Sequence, residues 1–175
     1  EKRLIAAEAV KLISSGDSIF LDGGSTVMEL ASLLADRSDI TVVTNSLRAA
    51  TELSNSRLRI ILTGGELRLL SQTMVGPLTR AVLDKVRVDK AFMGTMGFSI
   101  EDGLTTTDPN EAFTKDLVQK QARQVILMAD SRKWGKVSFS RVSGFEGVDV
   151  LITDKKFPAK DARVLRKQDV KVRLV

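Results

Sequence analysis

The chain has no cysteine and no histidine. Those two absences together exclude disulfides, thiolate nucleophiles, imidazole general bases and the usual zinc ligands. Any catalysis would fall to Asp, Glu, Lys, Ser or Thr, and no metal or other cofactor is implied. A chain without Cys suits a reducing cytoplasm, the expected location. No apolar run approaches the ~20 residues that a membrane-spanning helix needs, so no membrane partner is expected. The start, Glu1-Lys2-Arg3-Leu4, lacks an initiator Met and a signal-like apolar segment, and the chain reads as a fragment or processed product. Neither Gly-x-x-x-x-Gly-Lys-Ser/Thr nor Gly-x-Gly-x-x-Gly occurs, which argues against P-loop and dinucleotide sites. An EF-hand pattern is missing too.

What is present is ordinary for a globular domain. The 175 residues are 43% hydrophobic and 28% charged, enough for one domain with a substantial core. The net charge of +5 is uneven: Lys155 to Arg173 holds eight basic residues against Asp161 and Asp169, leaving −1 for the rest. Lys160, Arg163 and Lys167 fall on one helical face, with Ala159, Ala162 and Leu165 on another. Nucleic acid could meet such a patch, but the solvated face of an amphipathic helix is the better reading.

Apolar periodicity predicts helices over Lys2–Ser14, Thr26–Ala35, Ser46–Leu53, Pro77–Lys85, Asp108–Ala122 and Ala159–Arg166. Strands are predicted at Ser18–Leu21, Ile40–Val43, Leu58–Leu62, Val88–Met93, Val125–Met128, Val148–Ile152 and Val170–Leu174. Several strands are nearly continuous Val, Ile and Leu, as expected when helices cover both faces of a parallel sheet. The expected fold is α/β: one doubly wound, mostly parallel sheet, in a single domain over 1–175.

Polar and glycine residues cluster just after the predicted strands. The groups are Asp22-Gly23-Gly24-Ser25-Thr26, Thr44-Asn45-Ser46, Thr63-Gly64-Gly65-Glu66, Gly94-Thr95-Met96-Gly97 and Asp130-Ser131-Arg132-Lys133. In an open parallel sheet these loops share one rim, where ligands bind at a topological switch point. The first can cradle a phosphate, because its glycines allow close approach and the following helix offers free N–H groups. Each motif also has a purely structural reading. Thr26-x-x-Glu29 is itself a capping box, Asn45 suits an Asx-turn, and Gly64-Gly65 suits a tight turn. Asp108-Pro109-Asn110-Glu111 is a strong helix start in which Glu111 can close a capping box, and Lys115 can pair with it one turn on. Lys133 is the best candidate for a cation facing a phosphate.

The segments Leu21–Thr26, Val42–Leu47, Leu62–Arg68, Val75-Gly76-Pro77, Asp89–Gly94, Gly103-Leu104-Thr105-Thr106, Glu111-Ala112, Asp130–Lys133 and Ile152-Thr153-Asp154 resemble the C-terminal effector-sensing domain of DeoR-type bacterial transcription regulators. The resemblance runs in the same order across nearly the whole chain. It departs at Arg132 and Trp134, where Ser and Phe are more frequent. It implies a fold like the sugar-phosphate isomerases and glucosamine-phosphate deaminases, turned to sensing phosphorylated sugars or related metabolites. It also implies DNA binding through an N-terminal winged helix-turn-helix that nothing in this chain matches, and a homo-oligomer, dimer or tetramer. The ligand-binding set so implied is Asp22, Gly23, Gly24, Ser25, Thr26, Thr44, Asn45, Gly64, Gly65, Gly94, Thr105, Glu111, Lys115 and Lys133.

Two classes of function follow. One is a non-enzymatic sensor, the effector half of a repressor of carbohydrate metabolism. The other is a sugar-phosphate isomerase or amino-sugar-phosphate deaminase, with Glu111 or Asp102 as the carboxylate base. The deaminases of this type use a His in the segment around Asp102, and its absence favours the sensor.

Overall fold

In the computed structural model, which describes residues 1–175, the continuous apolar strands become the middle of one sheet. In chain order the elements are α1 (Lys2–Val10), β1 (Ser18–Leu21), α2 (Ser25–Leu34), β2 (Thr41–Thr44), α3 (Leu47–Leu53) and β3 (Arg59–Leu62). A hairpin follows, β4 (Glu66–Arg68) and β5 (Thr73–Val75), then α4 (Arg80–Leu83), β6 (Val88–Met93), β7 (Gly97–Ser99) and β8 (Gly103–Thr106). The chain ends with α5 (Pro109–Gln121), β9 (Ala122–Met128), β10 (Ser140–Ser143), β11 (Val150–Thr153), α6 (Ala159–Lys167) and β12 (Lys171–Leu174).

Seven strands lie in the order β12-β11-β9-β6-β1-β2-β3, every pairing parallel. Alternate residues of a strand point to opposite faces, which splits the apolar runs between two cores. Ile19, Leu21, Phe92, Ile126 and Met128 pack with Ile5, Ala9, Val27, Leu30 and Leu34 of α1 and α2. Phe20, Val43, Ala91, Met93 and Val125 pack with Leu83 of α4 and Leu117 and Val118 of α5. The expected doubly wound α/β sheet is the observed one. The chain winds outward from β1 through β2 to β3, then returns to β6 on the other flank of β1 and winds the opposite way. The β1/β6 junction is therefore the switch point, where successive loops diverge and leave a crevice.

Several boundaries differ from expectation. Helix α1 stops at Val10 rather than Ser14: Leu12 and Ile13 turn tightly onto Ala9 and Val10, and the Asp17 carboxylate takes the Ser14 N–H at 2.7 Å. The segment from Pro77 splits into a short 3-10 turn, Pro77–Thr79, and α4, with the Thr79 hydroxyl donating to the Gly76 carbonyl at 2.7 Å. Strands β4, β5, β7, β8 and β10 gave no sequence signal, being three or four residues long without the Val, Ile and Leu run that marks the equally short central strands. They form the β4–β5 hairpin and a small antiparallel sheet, β10-β8-β7.

A third core joins that small sheet to α6, through Phe98, Phe145, Phe157, Ala162 and Leu165. Trp134 completes it, its ring 5.2 Å from Phe98 and 4.9 Å from Phe157, and its indole N–H donates to Asp161 at 2.9 Å. Lys160, Arg163 and Lys167 are exposed while Ala162 and Leu165 are buried, the solvated-face arrangement; Ala159 is exposed as well. No helix is long and apolar enough to cross a membrane.

Candidate ligand-binding site

A cavity of about 410 Å³ opens at the switch point, at the carboxyl ends of the central strands. The loops after β1, β2, β6 and β9 border it, with β8, α5 and the β4–β5 hairpin completing the wall. Of the residues expected from sequence, Asp22, Gly23, Gly24, Ser25, Thr26, Asn45, Gly94, Glu111, Lys115 and Lys133 line it.

Helix α2 presents its N-terminus here without a side-chain cap. Its N-cap is Gly24, at φ 125° and ψ 151°, a conformation that favours glycine. Ser25 and Thr26 lie inside the first turn, so the capping-box reading is not realised, and Glu29 pairs instead with Arg3 at 3.4 Å. The N–H groups of that turn have no acceptors within the helix, and the dipole favours an anion in front of them by ~0.3–1 kcal/mol or more. Thr26 and Asn45 are each 3% exposed, yet Thr26 Oγ1 and Asn45 Oδ1 have no hydrogen-bond partner. An unpartnered buried polar atom costs about 1–3 kcal/mol, which a ligand hydroxyl would recover.

Charged groups occupy the walls. Lys115 of α5 forms a buried ion pair with Asp22 and donates to the Gly94 carbonyl at 3.0 Å, while the Gly94 N–H donates to Asp22 at 3.1 Å. Lys115 thus pairs with Asp22, not with Glu111. Asp108 caps α5 by accepting from the Asn110 and Glu111 N–H groups at 2.9 and 3.0 Å. Glu111 does not close a capping box. Its carboxylate turns into the cavity, accepting from Thr106 at 2.6 Å and from Arg68 at 3.4 Å. Burial pushes the Glu111 carboxyl up, but the Ser71 and Thr106 hydroxyls and the Lys115 and Arg68 charges outweigh it and hold it below the usual range. Lys133 donates to the Thr95 carbonyl at 2.6 Å, and burial pushes its ammonium down.

Four expected residues do not line the cavity. Thr44 is fully buried; its hydroxyl donates to the Leu21 carbonyl at 2.6 Å and accepts the Ser46 N–H at 3.0 Å. Thr105 donates to the Gly97 carbonyl and accepts the Ser138 N–H, both at 3.0 Å, so the next residue, Thr106, reaches the cavity in its place. Gly64 and Gly65, at φ 67° and 116°, shape the turn into β4 on the far side of β2. Asp102 accepts from Ser99 at 2.9 Å in the β7–β8 turn, outside the cavity, as is Arg132, which pairs with Asp130 at 3.0 Å.

Sequence reading missed Arg48, Arg68, Ser71, Thr73, Thr106 and Thr107, which also form the wall. Most belong to the hairpin or to β8 and its continuation, elements without a periodic signature. Thr73 packs on Gly23, where a Cβ would collide with its Cγ2, so the hairpin closes over the first loop only because residue 23 is glycine.

The family model described as the DeoR C terminal sensor domain matches residues 1–155. The uncharacterized HTH-type transcriptional regulator YulB of Bacillus subtilis is 39% identical over 100% of this chain and 68% of its own length. The HTH-type transcriptional regulator GlpR of Haloferax volcanii is 39% identical over 87% of this chain, and the match spans 60% of the relative. A putative aga operon transcriptional repressor of Escherichia coli O157:H7 is 31% identical over 99% of this chain and 65% of its own length. Among solved structures, ribose 5-phosphate isomerase A of Methanocaldococcus jannaschii aligns with TM-score 0.57 and 21% identity, covering 76% of this chain and 53% of its own. The eIF2B delta subunit of Chaetomium thermophilum aligns with TM-score 0.62 and 13% identity, covering 86% of this chain and 54% of its own. At those identities the likeness is one of fold.

Proposed function

The chain belongs to the DeoR C-terminal sensor domain family, and on that premise we propose that residues 1–175 form one effector-sensing domain of a transcriptional repressor of carbohydrate metabolism, with a phosphorylated sugar as effector. The observation that carries the reading is the uncapped N-terminus of α2 opening into a cavity that also holds Lys133. A phosphate sits against Gly23, Gly24, Ser25 and Thr26, with Lys133 supplying charge. Asp22, Asn45, Gly94, Glu111 and Lys115 meet the sugar hydroxyls. DNA is contacted through a helix-turn-helix elsewhere in the regulator, and the effector acts by shifting a homo-oligomer, dimer or tetramer, between geometries.

Holding rather than turnover suits these groups. Aldose–ketose isomerisation needs a carboxylate base whose pKa lies near the working pH. Here Asp22 is tied to Lys115, and Glu111 is held ionised by several donors. A panel of sugar phosphates, screened by thermal shift and calorimetry, is expected to contain a stabilising ligand, worth ~2.7 kcal/mol at one hundred times its Kd. A flat response across the panel would sink the ligand class. Turnover of ribose 5-phosphate or glucosamine 6-phosphate, abolished by Glu111→Gln, would replace the sensor with an enzyme.

A further inference from the structure

The cavity's cations are not equivalent. Lys115 is neutralised by Asp22, and Arg68 by Glu111 and Asp108 at 3.4 and 3.6 Å. Arg48 and Lys133 line the same cavity and form no ion pair. Glu52, one turn beyond Arg48, is occupied by the Ser32 hydroxyl at 2.8 Å. The two free cations follow strands on opposite sides of β1. The Lys133 ammonium is anchored at the Thr95 carbonyl, in the loop after β6. Arg48 follows β2, and with Met28 of α2 it also lines an adjoining groove bounded by Leu47, Thr51, Glu52 and Gln72.

Between β6 and β2 lies only β1, so the loop whose Thr95 carbonyl anchors Lys133 and the turn leading into α3 follow strand ends two spacings apart, ~10 Å. One phosphate, bonded on both sides, bridges nitrogens across about 8 Å at most. With a phosphate held at Lys133, Arg48 on the far side of β1 and beside the adjoining groove is open to another group. Asn45, buried directly after β2 with an unpartnered Oδ1, is placed to accept from a ligand hydroxyl.

We infer that Arg48 forms a second anion subsite, and that the ligand class is a sugar phosphate bearing another anionic group at its opposite end. This rests on the sugar-phosphate reading above. The shared chemistry is met by a sugar bisphosphate or by a phosphorylated sugar acid, and the probes separate them. Calorimetry with this chain would compare fructose 6-phosphate, fructose 1,6-bisphosphate and 6-phosphogluconate, repeated on Arg48→Gln and Lys133→Gln. At least one doubly anionic probe is expected to bind about tenfold or more tighter than fructose 6-phosphate. Arg48→Gln should collapse that ratio towards one, whereas Lys133→Gln should weaken all three. Arg48 is exposed, so its replacement leaves the core untouched, and a melting curve checks the fold. A ratio near one in the unmodified chain overturns the second subsite, as does a ratio that survives Arg48→Gln. Equal weakening of all three probes by Arg48→Gln overturns it too, because Arg48 then serves the first phosphate. If fructose 6-phosphate binds and neither doubly anionic probe does better, only this inference falls. If none binds, it falls together with the sugar-phosphate reading.

Discussion

Glu111 shows how a residue's surroundings decide what its charge does. Its carboxyl is held below its ordinary value of 4.5, so the folded state binds its proton less readily than the unfolded chain. The stability this contributes is fully present above about pH 4.5 and is lost as pH falls through the lowered value. Glu111→Gln is expected to cost ~1–3 kcal/mol at neutral pH, and the gap to the unmodified protein should close on acidification. Denaturant melts from neutral to acidic pH test this, and a gap constant with pH would refute it. Individual residues were unevenly legible in the sequence. Glu111 and Lys133 stood out because a strong helix start and a strand end fix where in the fold they sit, although the capping role open to Glu111 fell to Asp108 alone. Thr44 and Thr105 had the same apparent credentials, but their hydroxyls are taken by backbone groups in neighbouring loops and strands, which no local pattern announces. Arg68 looks like a surface arginine until the hairpin folds back, and Arg48 stays exposed at the edge of the cavity.

At the scale of elements, long apolar strands and amphipathic helices announced themselves, because burial on two faces or one face dictates their composition. The β4–β5 hairpin did not, since it rests on one side of the rim and uses mainly polar contacts with Glu111 and the loop after β2. That makes its seating testable. Gly23→Ala puts a methyl into Thr73 Cγ2 and should destabilise by ~1–3 kcal/mol while lifting the hairpin from the cavity. Thr73→Ser removes Cγ2 and keeps the hydroxyl, so the double variant should recover most of the loss. Chemical denaturation of the two single variants and the pair measures the coupling; strict additivity would mean that the hairpin does not rest on Gly23.

For the whole molecule, the order of strands places the candidate site before any side chain is considered, because reversal at β1/β6 opens a crevice there. The basic excess lies away from that crevice, on α6 and the edge strand β12. Lys171 is exposed on that edge, and Arg173 pairs with Glu8 of α1 at 2.7 Å. Charge on an edge strand discourages pairing with another sheet, a use of the +6 segment that needs no nucleic acid. The aromatic core beneath the small sheet has an optical consequence. Trp134 is the only tryptophan in the chain, and it directly follows Lys133. Its indole is clamped by Phe98, Phe157 and Asp161, so a displacement of the Lys133 turn must change the environment of a single fluorophore. Ligand titrations should therefore shift or quench emission in the unmodified chain, with no response in Trp134→Phe beyond that of buffer. A calorimetrically proven ligand that leaves the emission unchanged would show that the turn stays still on binding. The domain carries its own lamp beside the pocket.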